Sequence, residues 1–211
     1  VMKNVEAGDI TVQRVHWGTL SDITAGDFDL SGTTTYSDAV TWNNLDIGFF
    51  ELRGGGWTIF MNNADISHLY SFTTSAANMI QMADGSTISH TDSSEDAVYA
   101  RNTDVTLAGV TISSTNIDGT NNFVAAATSG GEIVMIETTY DDGNGAVDCA
   151  DSGGAAQTSG VDNCAVDVSS TSKVWYGGLA TVKLYREALI SGVVTKVYKS
   201  GHSVRTAVVD S

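Results

Sequence analysis

Hydrophobic and polar residues alternate along this chain in a unit that recurs about every twenty residues. Four segments align, namely DAVTWNNLDI from Asp38, WTIFMNNADI from Trp57, NMIQMADGST from Asn78 and DAVYARNTDV from Asp96. In each segment, hydrophobic residues at positions i and i+2 lie on one face of a strand. A polar residue follows at i+4, and a second short strand comes after it. The pattern predicts successive turns that bury little alone and close a core by stacking.

The polar position at i+4 is the most regular part of the unit. It is occupied by Asn44, Asn63, Asp84 and Asn102. Asn tolerates left-handed backbone angles and therefore suits a bend between two strands. We predict that these four residues form a structural ladder, one residue per turn. The alternative is a β-sandwich with evenly spaced strands, which would not require a polar residue at a fixed offset.

The predicted fold is all-β, a right-handed parallel β-helix with a short antiparallel β extension at the C-terminus. Long helices are disfavoured because Lys and Glu are scarce while Thr and Val are common. A domain boundary is expected near residue 173, because acidic residues concentrate in 1–172 and basic residues in 173–211. The first part is predicted to be the β-helix. The second part is a β-strand cap, the start of an immunoglobulin-like domain, or the last turns of the β-helix.

The units DAVTWNN, WTIFMNN and DAVYARN resemble the right-handed parallel β-helix repeats of secreted and cell-surface proteins, such as surface-layer or adhesin-like proteins. The resemblance covers about residues 35–140. The tail, YGGLATVKLYREALISGVVTKVYKSGHSVRTAVVDS, is similar to the opening strands of carboxypeptidase-regulatory-like, immunoglobulin-like domains. Such a domain would need more strands than remain before Ser211. The resemblance implies a structural role at the cell surface or outside the cell.

The charge of the chain narrows its partners. The chain contains ten Lys and Arg residues and 25 Asp and Glu residues, which gives a net charge of −15. A surface this acidic disfavours binding to nucleic acid phosphates. The sequence contains no apolar run of about 18 residues, so we expect no membrane insertion in this segment. The open ends of a solenoid expose unpaired strand edges. We therefore expect self-association, or contact with neighbouring domains of a larger surface protein.

The segment 141–165 interrupts the repeat and carries two further predictions. Cys149 and Cys164 flank a stretch of Gly, Ser, Ala and Asp, and we predict a disulfide that closes this loop in an oxidising compartment. Two free thiols are the alternative. Asp142, Asn144 and Asp148 lie around Gly143 at positions i, i+2 and i+6, and their oxygen atoms suit Ca²⁺. A solvated loop without metal is the alternative.

Catalysis is a weaker interpretation of the acidic residues. Asp46 and Asp65 share one repeat position and Asp104 lies close to it in the alignment, so the three carboxylates are candidates for a polysaccharide lyase or glycoside hydrolase. Arg53, Arg101 and His68 are the basic residues expected near these carboxylates. The solvated face of any repeat would show the same recurrence, so no residue is assigned as catalytic.

The expected function is that of a non-catalytic extracellular structural or adhesion segment of a cell-surface or filament-forming protein, with Ca²⁺ as its expected stabilising ion. The polysaccharide-acting enzyme is one alternative. A carbohydrate-binding module is another, because exposed aromatic side chains stack on sugars. The candidates for stacking are Trp17, Trp57, Tyr70, Tyr99 and Trp175.

Overall fold

The computed structural model describes most of the chain up to residue 143 and shorter stretches after it. The described residues are 2–13, 19–32, 39–74, 77–83, 85–118, 121–143, 146–148, 166–168, 172–177, 186–190, 193–197, 199–200 and 203–204. Every regular element among them is a β-strand. The predicted all-β class is therefore confirmed for this part of the chain.

Long strands dominate the first turns. Two short strands, β1 (Met2–Glu6) and β2 (Ile10–Gln13), come first. The long strands that follow are β3 (Thr19–Ser31), β4 (Val40–Arg53) and β5 (Thr58–Phe72). The strands β3, β4 and β5 pair in parallel along almost their whole length, with Val40 beside Ile59 and Ile47 beside Ile66. Each of these long strands bends twice and so passes through three sheets.

After Phe72 each turn is divided into shorter strands. They are β6 (Asn78–Met82), β7 (Thr87–Ser89), β8 (Val98–Arg101), β9 (Thr103–Ala108), β10 (Thr111–Ser113), β11 (Ala125–Thr128), β12 (Glu132–Ile136), β13 (Thr139–Asp141), β14 (Ala146–Asp148), β15 (Val166–Val168) and β16 (Lys173–Gly177). Apart from β14, which runs antiparallel to β13, these strands pair in parallel with the turn before.

Three sheets result from this pairing. The first sheet contains the first segments of β3 to β5 followed by β6, β9, β12 and β16. The second sheet contains the middle segments followed by β7, β10 and β13. The third sheet contains the last segments followed by β8, β11 and β15. This arrangement is a parallel β-solenoid, as predicted, and its parallel register excludes the β-sandwich alternative.

The core lies between the three sheets and consists of rows of equivalent side chains. One row runs through Ile59, Ile80, Val105 and Ile133, all of which are fully buried. Strand alternation places every second residue on the inner face, so the same inward positions repeat from turn to turn. Stacking of these rows supplies the hydrophobic stabilisation that one turn alone lacks.

The corner between the first and second sheets requires left-handed backbone angles. Asp22, Asn44 and Asn63 have φ values of 56°, 54° and 48°. The Asn63 amide donates to Asn44 Oδ1 over 2.9 Å, and the Asn44 amide donates to Asp22 Oδ1 over 2.8 Å. Asn and Asp tolerate this conformation because their short polar side chains bond locally. Asn44 and Asn63 are thus neighbours in one hydrogen-bonded row, and Asp84 lies outside the described residues.

Asn102 occupies a different corner from the one that the repeat alignment predicts. Val98 pairs with Leu69 in the third sheet, whereas Val105 takes the predicted place of Val98 beside Ile80. Asn102 therefore lies between the third and first sheets, and it also has a left-handed φ of 50°. The alignment was wrong here because the same local signal, an Asn after a short strand, serves two corners.

The length of a turn explains this shift. Partner residues are 19 positions apart between Asn44 and Asn63, but 28 positions apart between Thr111 and Thr139. The added residues lie between the second and third sheets, after Ser89 and again after Ser113. In these later turns the connections at the other two corners stay short. A period fixed at the length of the early turns therefore loses register in the later ones.

The C-terminal strands differ in the direction of their pairing. β16 pairs in parallel with β12, so it continues the first sheet of the solenoid. Antiparallel pairing follows, between β17 (Arg186–Ile190) and β18 (Val193–Val197), and between β19 (Lys199–Ser200) and β20 (Ser203–Val204). The predicted antiparallel extension is present, and it begins after β16.

Candidate functional site

The three acidic residues considered for catalysis are not brought together. Asp46 and Asp65 are direct neighbours on the outside of the second sheet. Asp65 accepts hydrogen bonds from the hydroxyls of Thr87 and Ser89, at 2.6 and 3.0 Å. Asp104 lies in the first sheet beside Glu132, in β9 rather than near the other two. The set that a glycoside hydrolase or lyase would need is therefore not assembled from these residues.

The predicted calcium and disulfide sites fall largely beyond the described residues. Cys149, Cys164 and Asn144 lie outside them. Asp142 is buried directly after β13, and the backbone of Asp148 pairs with Thr139 in the β13–β14 hairpin. Among the described residues, no group of three or more His, Cys, Asp or Glu side chains is arranged to hold a metal ion. The disulfide and the Ca²⁺ ligands remain predictions.

The outer side of the third sheet carries a concentration of aromatic and charged side chains, which we call the third-sheet face. Strand alternation turns these residues outward while their neighbours enter the core. The residues of this face are Asp29, Phe49, Glu51, Arg53, Tyr70, Phe72, Tyr99 and Arg101. All of them except Arg53 are half-buried, so the face is a surface of packed side chains rather than of freely solvated ones.

The aromatic rings of the third-sheet face pack against one another. Tyr70 and Tyr99 are stacked, with ring centroids 4.6 Å apart and an interplanar angle of 11°. Phe49 contacts Tyr70 with a centroid separation of 6.0 Å. The guanidinium of Arg101 lies 4.6 Å from the centre of the Phe72 ring, a cation–π geometry. These contacts order the rings along the outer side of the sheet, where they remain half-buried.

One end of this face is acidic. A depression of about 220 Å³ is lined by Asp9, Asp27, Asp29, Phe49 and Glu51, among others. Asp29 Oδ1 is buried and has no hydrogen-bond partner among the described residues. Burial and the neighbouring Glu51 carboxylate raise the pKa of Asp29. Glu51 itself pairs with Arg53 over 2.6 Å, so the depression presents carboxylate oxygens beside an aromatic wall.

A second concentration of polar residues lies at the corner between the second and third sheets. It consists of His68, His90, Ser114 and Asp142, which we call the corner row. Each lies two positions after an inward residue of the second sheet, and the register of those strands stacks them from turn to turn. All four side chains are buried, with exposed fractions between 3% and 8%. A continuous row of buried polar groups at one corner is costly unless the groups bond to one another.

Hydrogen bonds satisfy the middle of the corner row. His90 Nδ1 lies 2.8 Å from Ser114 Oγ, and His90 Nε2 lies 2.8 Å from the Glu95 carbonyl oxygen. His68 packs edge-on against His90, with ring centroids 4.7 Å apart, and contacts Phe49 on its other side. Both ring nitrogens of His68 are buried without a hydrogen-bond partner among the described residues.

Burial keeps both histidines neutral. Desolvation lowers the pKa of His68, and the neighbouring His90 lowers it further. Desolvation also lowers the pKa of His90, although its hydrogen bond to the Glu95 carbonyl and the charge of Asp92 act in the opposite direction. At neutral pH the row is therefore uncharged at its two imidazoles.

The aromatic residues selected from the sequence divide between the core and the surface. Trp57 is buried, and its indole N–H donates to the Gly32 carbonyl over 3.1 Å. Tyr70 and Tyr99 do lie on the outer face. Trp17 and the side chain of Trp175 lie outside what the structure describes. Phe49 was missed because the pair Phe49-Phe50 follows the bend, where alternation alone does not show which ring points outward.

Comparison with known proteins gives this chain no relative. The chain matches no family model, no curated protein and no solved structure. Within the described residues, no helix is long and apolar enough to cross a bilayer.

Proposed function

We propose that this chain is a structural and adhesive segment of an extracellular or cell-surface protein. The observation that carries the proposal is the parallel stack formed by β1 to β13, β15 and β16 around one hydrophobic core. Each turn adds one strand spacing of roughly 4.8 Å along the axis, so length grows with the number of turns. Such a stack is a stiff spacer that holds its outer faces at fixed positions.

The location and the partners follow from the sequence rather than from the fold. Two cysteines that flank a stretch of Gly, Ser, Ala and Asp favour a disulfide, and a disulfide favours an oxidising environment outside the cell. The terminal strands of a solenoid offer free edges, which pair with a second copy or with an adjoining domain. Ca²⁺ bound by the segment after β13 would lower the repulsion among its carboxylates.

Small-angle scattering and sedimentation of the whole chain test this proposal. We expect an elongated particle whose sedimentation coefficient rises with protein concentration as ends associate. Addition of Ca²⁺ should raise the unfolding temperature, and a chelator should reverse that rise. A compact particle that remains monomeric at all concentrations would contradict the structural and adhesive role.

A second candidate function, carbohydrate binding, is favoured by the third-sheet face. The stacked rings of Tyr70 and Tyr99 offer apolar surface to a sugar ring, and the carboxylates near Phe49 accept hydrogen bonds from hydroxyl groups. The acidic depression disfavours anionic polysaccharides and favours neutral or amine-bearing ones. Binding of this kind would be the adhesive contact of the proposed segment.

Glycan arrays followed by calorimetric titration of the best neutral oligosaccharide test the second candidate. Tyr70→Ala and Tyr99→Ala should each weaken binding about tenfold, the loss of roughly one aromatic contact. Phe60→Ala is the matched control, because Phe60 is a half-buried aromatic on the outside of the first sheet. Equal effects of all three substitutions, or no glycan bound, would exclude the third-sheet face as a sugar site.

A further inference from the structure

We propose that Ser114 and His90 form a nucleophile–base pair that accepts acyl groups from small, uncharged esters. The pair lies in the corner row, apart from the third-sheet face, and it goes beyond the structural role proposed above. Its defining contact is the 2.8 Å hydrogen bond between Ser114 Oγ and His90 Nδ1. A serine activated by a neighbouring base is the arrangement required for nucleophilic catalysis.

The hydrogen bonds of His90 fix the position of its proton. The Glu95 carbonyl oxygen can only accept a hydrogen bond, so His90 Nε2, at 2.8 Å from it, must carry the proton. His90 Nδ1 is then unprotonated in the neutral ring and accepts from the Ser114 hydroxyl. The Glu95 carbonyl thus orients the base in the way that a third group orients the histidine of a catalytic triad.

The surroundings of Ser114 favour its reaction as a nucleophile. The backbone N–H of Asn116 donates to Ser114 Oγ over 3.0 Å, which stabilises negative charge that develops on this oxygen. Desolvation lowers the pKa of His90 and keeps the imidazole in its basic form at neutral pH. His90 and Ser114 are both buried, so bulk water has little access to the two side chains.

An opening leads to the pair and limits what reaches it. A depression of about 280 Å³ is lined by His90 and Ser114 together with Thr91, Thr115 and Gly143, among others. This volume admits a short acyl group and part of its alcohol. Asp141 also lines the depression and Asp142 is next to Ser114 in the corner row, so a negatively charged ester is disfavoured.

The proposed step balances without a cofactor. Ser114 Oγ attacks the ester carbonyl, its proton passes to His90 Nδ1, and an O–acyl bond to Ser114 forms. The bond between the carbonyl carbon and the alcohol oxygen breaks, and the alcohol leaves with the proton from His90. Water then attacks the acyl-serine with His90 as base, which releases the carboxylic acid and restores Ser114.

Covalent labelling of the whole chain with a fluorophosphonate tests the pair directly. The Ser114 oxygen displaces fluoride from phosphorus, and peptide mass mapping locates the adduct. We expect one adduct at Ser114, none in Ser114→Ala, and an unchanged adduct in Ser31→Ala, a serine of the third sheet remote from this opening. His90→Gln keeps a hydrogen-bond acceptor but no base, and should slow labelling about 100-fold or more.

The pH dependence of labelling separates a reactive pair from a merely structural hydrogen bond. The wild-type rate should persist at pH 6.5 and fall at lower pH, because the pKa of His90 is below its ordinary value and only the neutral ring acts as base. Turnover of 4-nitrophenyl acetate should follow the same profile, with circular dichroism confirming the folded state at each pH. Absence of an adduct at Ser114 in the folded wild type, or a labelling rate independent of both pH and His90, would overturn the proposal.

Discussion

The turns before Phe72 and the turns after it stack in one solenoid, but different side chains hold them together. In the early turns Phe28, Trp42 and Phe50 form an aromatic cluster with centroid separations from 5.5 to 6.1 Å. In the later turns the third sheet contributes small residues, with Ala100 and Ala127 fully buried. In the third sheet, the large buried side chains of the early turns, such as Phe50 and Leu52, are followed by small ones in the later turns.

The corners differ in the same way. The early turns pass from the second to the third sheet within one continuous strand, while the later turns add residues there. The buried polar members of the corner row lie where those additions begin, at His90, Ser114 and Asp142. We therefore expect stability to be concentrated in the regular early turns, where the aromatic cluster lies. Three of the four members of the corner row, His90, Ser114 and Asp142, lie in the irregular later turns.

The largest expected effect comes from removal of the aromatic cluster. Trp42→Ala should lower the free energy of unfolding by about 3–5 kcal/mol, because it leaves a cavity in a fully buried part of the core. Trp42→Phe is the control, since it keeps a ring and removes an indole N–H that has no partner among the described residues. Urea denaturation measures both. A loss of less than about 1 kcal/mol for the alanine variant would mean that the early turns are not the stable part.

Acidification should have the next largest effect on stability, through the two buried histidines of the corner row. The pKa values of His68 and His90 are lowered in the folded state, so the unfolded chain binds protons more readily. Stability is therefore full above the unfolded pKa of about 6.5 and falls as the pH drops from there towards the folded values. Denaturation midpoints between pH 8 and pH 5 measure this loss.

The variant His68→Phe tests whether His68 is a source of the lost stability at low pH. It replaces an imidazole with two unbonded nitrogens by a ring of similar shape that packs on Phe49. The variant should lose part of the pH dependence and be at least as stable as the wild type at pH 7. If its midpoints fall with pH as steeply as those of the wild type, the His68–His90 contact is not the source of the acid sensitivity.

The ladder at the first corner should respond to a smaller degree. Asn63→Ala removes the bond to Asn44 and places Ala at a φ of 48°, at a cost of about 1–2 kcal/mol. Asn63→Gly also removes the hydrogen bond, but Gly adopts a left-handed φ without strain, so this variant should lose less unfolding free energy. Thermal unfolding of the two variants separates the contributions, and an alanine variant as stable as the glycine variant would argue against backbone strain at this position.

The smallest expected effect is an increase in stability. Glu137 lies at the same corner in a later turn, following the pair Ile136 and Ala108, and is exposed with a φ of 50°. Asn is better suited to this angle than Glu, so Glu137→Asn should stabilise the protein by about 0.5–1 kcal/mol. A destabilised variant in a urea titration would show that the Glu137 side chain makes a contribution of its own.

The sequence predicted the solenoid because periodic inward residues leave a signal that needs no knowledge of partners. The hydrogen-bonded neighbours Asn44 and Asn63 were found for the same reason. Asn102 was assigned to the wrong corner. A left-handed φ favours Asn at either corner, so the residue type does not show which corner it occupies. The corner depends on the number of residues in the preceding loop, which the sequence pattern does not give.

The functional surfaces were harder to predict than the fold. The third-sheet face contains Tyr70 and Tyr99, which the sequence suggested as surface aromatics. Their stacking could not be predicted, because the turn that separates them is longer than the turns before it. The corner row joins His68, His90, Ser114 and Asp142 across four turns with no shared motif. Only the strand register brings these residues side by side.

The uneven length of the turns has a practical meaning for engineering. Because the extra residues after Ser89 and Ser113 leave the stack and return to it with the next strand still in register, this edge of the molecule tolerates added chain. Foreign peptides or reactive handles grafted there would be displayed in a line, at a spacing fixed by the backbone, while the opposite edges keep the scaffold intact.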